Sequence, residues 1–271
     1  MLWAIRNTIN IPFILSTKTH RYFVDQTQKD IVDKRLSDPK FKPYFGKKQQ
    51  RPHQTLFKHG GIEINHSFAI NTSLLLSTIK KHLKEKNILI TDTYTPKNLQ
   101  IHPTHISYKD NQAKTILFCQ GAQLEQNPLF SHLPFRSSKG DVLTLKLSQF
   151  NPNCNLSFNQ WLIPTKETLF KYGATYEWPP YQNLPLESSK QTLLNHFTTF
   201  IKTPYTLLNH QSGIRCALTN NKPICEKHPK YDRVYVCSAL GSKGFMQAPY
   251  LTQQIINTIH GQTCSWFTWY F

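Results

Sequence analysis

Three glycine-containing segments carry residue types that can hold a negatively charged ligand. In residues 233–244, an apolar stretch (RVYVC) leads into a turn containing Gly241 and Gly244, and a sequence typical of a helix follows. The other two segments are residues 115–121 and 172–178. Glycines let the backbone approach a ligand, and a helix N-terminus offers unpaired N–H groups and a positive dipole end. Strand, glycine-rich turn and helix therefore indicate an anion or cofactor cradle, although each turn alone also fits an ordinary tight turn.

Two short apolar runs must position these turns. Residues 115–119 (TILFC) and 233–237 (RVYVC) are continuous apolar runs that end at turns. This is the pattern of strands that are buried on both faces of a parallel sheet. We therefore expect the two runs to be neighbours, or near neighbours, in one sheet, although over a hundred residues separate them.

The remaining periodicity predicts both helices and strands. Alternating apolar residues over 9–15 predict a half-buried strand. A helix is predicted over 72–86, with Asn71 as its N-cap, and a short strand over 88–90. Residues 39–59 are rich in Pro, Lys and Gln and are predicted to form an exposed loop.

Composition and charge limit the class of protein. The 271 residues contain 32 Lys and Arg but 15 Asp and Glu, which gives a formal net charge of +17 and favours polyanionic partners. The basic residues are dispersed, however, and the densest run (residues 80–86) also fits a solvated helix face, so nucleic acid stays open as a partner. No window approaches eighteen apolar residues and no signal-peptide pattern opens the chain, so no membrane association and a cytoplasmic location are expected.

The six cysteines form no Cys-x-x-Cys pair. Without a secretory signal they are expected to be reduced thiols, with zinc binding as the alternative. No metal site is predicted from their spacing.

The order of the motifs, taken together, resembles the family of FAD-dependent oxidoreductases that includes D-amino acid oxidase, glycine oxidase and sarcosine oxidase. The likeness covers roughly residues 9–262. The motifs that carry it are Cys119-Gln120-Gly121, Asn127-Pro128, Lys139-Gly140-Asp141, Gly173 to Trp178 (GATYEW), Gly213-Ile214-Arg215, and Gly241 to Pro249.

The sequence departs from the family pattern at several positions. It contains no Gly-x-Gly, whereas the family begins with a strand, a Gly-x-Gly-x-x-Gly turn and a helix that hold the ADP half of the cofactor. The resemblance thus implies a chain without roughly the first 80–100 residues of that pattern. Cys216 stands where Pro is usual and Ala239 where Gly is usual. Glu226 replaces another Gly, which would place a charged side chain in a tight backbone site.

The resemblance also implies a fold and a division of the chain. The implied fold class is α/β (α+β), with a partial FAD-binding, Rossmann-like domain interleaved with an antiparallel β-rich substrate domain. Residues 1–70 and 126–210 would form the substrate portion. Residues 71–125 and 211–271 would form the FAD-binding portion.

Roles for individual residues follow from the same resemblance. Gly121, Gly241, Ser242, Lys243 and Gly244 would contact FAD, although these glycines also serve simply to shape turns.

Two further residues are candidates for contact with substrate. Arg215 would clamp a substrate carboxylate, with a structural ion pair as the alternative. Tyr176 would line the substrate pocket, with a core position as the alternative. The implied reaction is hydride transfer from a C–N bond of a small amine or amino acid to the flavin.

Two other functions stay open at this stage. The chain would be a non-catalytic family remnant, or a member associated with RNA or tRNA. A complementing chain would then be a partner that supplies what the pattern lacks.

Overall fold

The computed structural model describes residues 13–16, 18–150 and 152–262. The α-helices in these ranges are α1 (Gln26–Leu36), α2 (Thr72–Glu85), α3 (Glu187–Phe200) and α4 (Gly244–Ile259). The strands are β1 (Ile14–Ser16), β2 (Thr19–Tyr22), β3 (Phe45–Gln49), β4 (Gly61–Ile64), β5 (Ala69–Ile70), β6 (Leu99–Ile101), β7 (Ile106–Tyr108), β8 (Asn111–Ala113), β9 (Ile116–Phe118), β10 (Ser138–Lys146), β11 (Asn155–Phe158), β12 (Gln160–Lys166), β13 (Leu169–Gly173), β14 (Thr206–Arg215), β15 (Ile224–Lys227) and β16 (Val234–Ser238).

The larger sheet has eight strands in the order β14-β10-β13-β12-β11-β2-β4-β3. Its neighbouring strands run antiparallel except β11 and β2, which are parallel. Along β10, Leu143 and Leu145 are buried and alternate with more exposed residues, as expected where one face of a strand covers a core. Leu193 and Phe197 of α3 belong to the same buried cluster, so this part of the molecule has a closed hydrophobic core.

The second sheet contains three strands in the order β15-β16-β9. β9 and β16 are parallel, with Ile116 opposite Val234, and this confirms that residues 115–119 and 233–237 are sheet neighbours. Helix α4 packs on β15 and β16 and contributes the buried residues Leu251 and Ile255. The parallel pair brings the turns that follow β9 and β16 to the same edge of the sheet.

β9 lies at an edge of this sheet within the described part of the chain. Its middle residue, Leu117, is 37% exposed. Residues 88–90 do not form a strand, so that prediction is wrong: Ile88 and Ile90 are 68% and 70% exposed, and no described strand pairs with them. A short apolar run becomes a strand only when a neighbour supplies its hydrogen bonds.

The other sequence predictions have mixed outcomes. The helix after Asn71 is confirmed, because α2 begins at Thr72 and the Asn71 side chain accepts a hydrogen bond from the Leu74 N–H at 3.0 Å. The predicted loop over 39–59 is partly wrong, because it contains β3, which pairs with β4. The prediction over 9–15 lies mostly outside the described residues, and its described end belongs to β1.

The remaining strands form a β1-β5 pair and a β6-β7-β8 antiparallel sheet. The architecture is a mixed α/β arrangement of one large mixed sheet and smaller sheets, and it confirms the predicted fold class. No helix of the described residues has the length and apolar character needed to cross a membrane.

Candidate functional site

A pocket of about 270 Å³ lies between the two main sheets. One wall comes from β10, β14 and the extended segment after β13, and the other comes from the turn after β16 and the first turn of α4. Five of the seven predicted site residues line it, namely Tyr176, Arg215, Gly241, Ser242 and Lys243. Gly121 and Gly244 are not among the lining residues.

Arg215, the last residue of β14, is held in a defined position above β10. Its guanidinium carbon lies 4.3 Å from the centroid of the Tyr176 ring, and its Nη1 donates a hydrogen bond to the Thr175 carbonyl at 3.3 Å. The guanidinium also crosses Gly140 so closely that a Cβ at position 140 would overlap it. Gly140 on one side and the Tyr176 ring on the other hold the guanidinium in place, and Arg215 lines the pocket.

A second arginine repeats this arrangement along the same wall. The guanidinium carbon of Arg136 lies 4.5 Å from the Trp178 ring centroid. Arg136 is exposed, and its backbone N–H donates to the Ala217 carbonyl at 2.8 Å. Tyr176 and Trp178 are two residues apart in an extended segment, so their side chains lie on the same side of it. The pocket wall therefore carries two arginine–aromatic stacks side by side.

The opposite face of the same strands carries a buried ionic network. Lys139 and Asp141 are fully buried, with 3.1 Å between Nζ and Oδ1, and Lys139 Nζ is 2.8 Å from Glu177 Oε2. Burial lowers the pKa of Lys139, but hydrogen bonds to Glu177 and Asp141 outweigh it and raise the pKa above its usual value. Lys139 and Glu177 also exchange backbone hydrogen bonds. This network holds the segment that presents the two aromatic rings on either side of Glu177.

The turns after the two parallel strands face the same edge. Gly121 follows β9 and Gly241 follows β16, with φ of +57° and +56°. A Cβ at either position would meet nothing within 4 Å, so glycine serves the left-handed backbone there and leaves open space beside it. Ala239 also has a positive φ, +59°, which explains why the family pattern has glycine at that position. The Gly241 N–H donates to the Cys216 carbonyl at 2.8 Å and ties the turn to β14.

Two departures from the family pattern are accommodated locally. Glu226 was expected to enter a tight backbone site, and this expectation is wrong: Glu226 is an exposed residue of β15 opposite Val236. Cys216 is buried, and burial raises the pKa of its thiol.

Gln247, in the first turns of α4, is a lining residue that the sequence did not reveal. It is 3% exposed, and its Oε1 atom is buried without a hydrogen-bond partner. Such an acceptor is costly unless a ligand or water pairs with it. Arg136 and Trp178 were also missed, although the two-residue spacing of Tyr176 and Trp178 was a signal for a shared face. Among the described residues no group of three or more His, Cys, Asp and Glu is arranged to hold a metal ion.

Three comparisons with solved structures show the fold. Glycine oxidase from Geobacillus kaustophilus superposes with a TM-score of 0.83 at 9% identity, covering 98% of this chain and 76% of that one. Glycine oxidase from Bacillus cereus ATCC 14579 gives 0.81 at 11% identity, with 97% and 77% covered. Iminodiacetate oxidase from Chelativorans sp. BNC1 gives 0.77 at 15% identity, also with 97% and 77% covered.

Sequence comparison reaches a curated relative and a family. The tRNA 5-methylaminomethyl-2-thiouridine biosynthesis bifunctional protein MnmC of Legionella pneumophila (strain Corby) is 22% identical over 235 residues, covering 74% of this chain and 34% of the relative. The chain thus spans about a third of the length of the curated relatives it matches. The sequence model of the FAD dependent oxidoreductase (DAO) family matches residues 17–256. The chain therefore belongs to this family of FAD-dependent oxidoreductases.

Proposed function

We propose that the chain contributes to the oxidation of a C–N bond in a small amine or amino acid that carries a carboxylate. The observation that carries the proposal is the position of Arg215, stacked on Tyr176 and facing the Gly241 turn across one pocket. A guanidinium fixed in this way suits bidentate pairing with a carboxylate. The glycine oxidase and iminodiacetate oxidase neighbours act on substrates of this chemical class by name.

The residues at one end of the pocket, together with Gly121 and Gly244 outside its lining, fit the ring end of FAD. Gly121 and Gly241 leave open space beside a left-handed backbone, and the buried Oε1 atom of Gln247 offers an unused acceptor. Gly241, Ser242, Lys243 and Gly244 would hold the ring, with Gly121 flanking them. When bound, the flavin supplies the hydride acceptor.

The chain's own residues would bind and orient the substrate. Arg215 would fix the carboxylate, and Tyr176 would limit the movement of the guanidinium and cover one side of the pocket. Orientation of this kind contributes to catalysis because it removes rotational freedom from the reacting molecule. No acid or base from the protein is required for the proposed role.

We also propose the division of the chain into a substrate portion (residues 1–70 and 126–210) and a cofactor portion (residues 71–125 and 211–271). Sheet membership supports it: the larger sheet uses strands between residues 19 and 64 and between 138 and 215, and the second sheet uses β9, β15 and β16. β14 crosses the proposed boundary at residue 211 and joins the two portions.

The test is anaerobic mixing of the chain with excess free FAD and a panel of carboxylate-bearing amines, including glycine and iminodiacetate. At least one amine should cause loss of the oxidised-flavin absorbance. Arg215→Lys should then raise KM, because a point charge cannot replace the fork geometry of a guanidinium. An unchanged KM with the activity intact would assign Arg215 to structure.

A second variant pair tests the same point without touching the arginine. Gly140→Ala displaces the guanidinium, whereas Gly213→Ala, on the strand opposite Gly140, adds a Cβ that meets nothing within 4 Å. The first should raise KM and the second should leave it unchanged.

A second candidate function is oxidation of an amine carried by an RNA nucleotide. The +17 net charge favours it, and so does the relationship to MnmC, which acts in tRNA 5-methylaminomethyl-2-thiouridine biosynthesis by name. It predicts that the chain binds tRNA. The logarithm of the binding constant should fall steeply and linearly with the logarithm of the salt concentration. Absence of tRNA binding at low salt would remove this candidate.

A further inference from the structure

We infer that the pocket selects amines carrying two carboxylates, and that Arg136 is the residue that binds the second one. The inference rests on the proposed function, which needs only Arg215 and one carboxylate. Two guanidinium groups, each stacked on an aromatic ring, line the same wall, and the second one can pair with a second anionic group.

The spacing of the two stacks matches such a ligand. Each guanidinium carbon lies under 5 Å from its ring centroid, at 4.3 Å for Arg215 on Tyr176 and 4.5 Å for Arg136 on Trp178. Tyr176 and Trp178 line the same pocket, and residues two apart in an extended chain are separated by about 7 Å along the backbone. Carboxylates at the two ends of a short amine would therefore each reach one arginine.

The electrostatics of the pocket favour the same ligand. Arg136, Arg215 and Lys243 line it, and its described lining residues include no Asp or Glu. Within the described part of the chain no carboxylate forms an ion pair with either arginine. A single carboxylate on Arg215 would leave the Arg136 guanidinium without an anionic partner, whereas a second carboxylate pairs with it.

The experiment compares a dicarboxylate with a monocarboxylate of the same chain length. Glutarate and pentanoate are titrated into the full 271-residue chain at low salt, and their dissociation constants are measured by calorimetry or ligand-observed NMR. We expect glutarate to bind about tenfold more tightly than pentanoate, the effect of one additional charge-assisted contact. Because this readout is binding, it does not depend on flavin.

Three variants assign the effect to residues. Arg136→Gln should abolish the tenfold difference between the two ligands, and its fold should be intact because Arg136 is exposed. Arg215→Gln should weaken both ligands. Arg51→Gln, which removes an exposed charge outside the pocket, should change neither and controls for net charge.

Each outcome bears on the inference. Equal affinities for the two ligands, with both lost in Arg215→Gln, would overturn the dicarboxylate preference and leave the proposed function standing. A tenfold difference that persists in Arg136→Gln would also overturn the role of Arg136. Failure of both ligands to bind would overturn this inference and remove the carboxylate site on which the proposed function depends.

Discussion

The two main sheets differ in how completely the described chain covers them. The eight-stranded sheet and α3 enclose a core in which Leu143, Leu162 and Phe197 have no exposed surface. The three-stranded sheet has α4 on one side but ends at β9, whose Leu117 is partly exposed. The larger sheet therefore has a closed core, whereas the edge of the smaller sheet at β9 leaves an apolar side chain partly accessible to solvent.

The largest expected effect concerns the cofactor. We predict that the 271-residue chain will not retain FAD, because a dinucleotide is held chiefly through its pyrophosphate and ribose at a Gly-x-Gly-x-x-Gly turn, and the sequence contains no Gly-x-Gly. Losing several charge-assisted hydrogen bonds, each worth about 1.5–3 kcal/mol, leaves flavin that dissociates during desalting and occupies the site only while free FAD is in excess. Incubation with excess FAD and desalting should give colourless protein. Stoichiometric flavin in the protein fraction would contradict the prediction.

The closed core predicts the next largest effect. Leu143→Ala should lower the free energy of unfolding by about 2–5 kcal/mol, because it leaves a cavity between β10 and α3. The matched change Leu117→Ala, at the open edge, should cost far less because Leu117 already contacts solvent. Denaturant unfolding of both variants measures the difference. Similar losses would show that the two sheets are equally well covered.

The stability of the larger sheet and α3 should also depend on pH, through one partly buried histidine. His196 on α3 lies 2.7 Å from the Tyr172 hydroxyl through Nδ1, and burial lowers its pKa. The unfolded chain therefore takes up this proton more readily than the folded chain does, so stability should fall as the pH drops below about 6.5.

The variant His196→Gln should reduce that pH dependence. His82, which is exposed on α2, provides the control, and His82→Gln should leave the dependence as it is. Unfolding midpoints at pH 7 and at pH 5 give the comparison. A dependence that is unchanged in His196→Gln would place the sensitive group elsewhere.

The smallest effect on stability is expected at the open edge itself. Leu117→Lys should change the free energy of unfolding by no more than about 0.5 kcal/mol, yet it should reduce self-association because a charge on an edge strand discourages pairing between chains. The comparison variant is Leu208→Lys, which adds the same charge to β14, an edge strand of the larger sheet. Light scattering of the two variants distinguishes them. Equal reductions would attribute the effect to net charge alone.

Local sequence was sufficient for some of this architecture and not for the rest. The apolar runs that became β9 and β16 were identifiable because a strand buried on both faces needs apolar residues at every position. Residues 88–90 have the same character, yet they remain unpaired, because strand formation depends on a neighbour that no local pattern reveals. The prediction for β3 was wrong in the opposite direction. Its polar sequence suggests a loop, but its pairing with β4 makes it a strand.

The site shows the same division between local and non-local information. The glycine turns and Arg215 were found through motifs, which are local in sequence. The stack of Arg136 on Trp178 joins residues 42 positions apart, and the unused oxygen of Gln247 is defined only by what surrounds it. Neither feature has a local signature, so only the folded structure displays them.

The contact between Gly140 and Arg215 limits which substitutions position 140 can accept during evolution. Every other residue adds a Cβ that overlaps the Arg215 guanidinium, but the atoms displaced are the far end of a flexible side chain and not the backbone. Replacement of Gly140 should therefore be nearly silent for folding and damaging for ligand binding. Natural variation at position 140 should therefore separate chains that keep the ligand site, which need glycine there, from chains that keep only the fold.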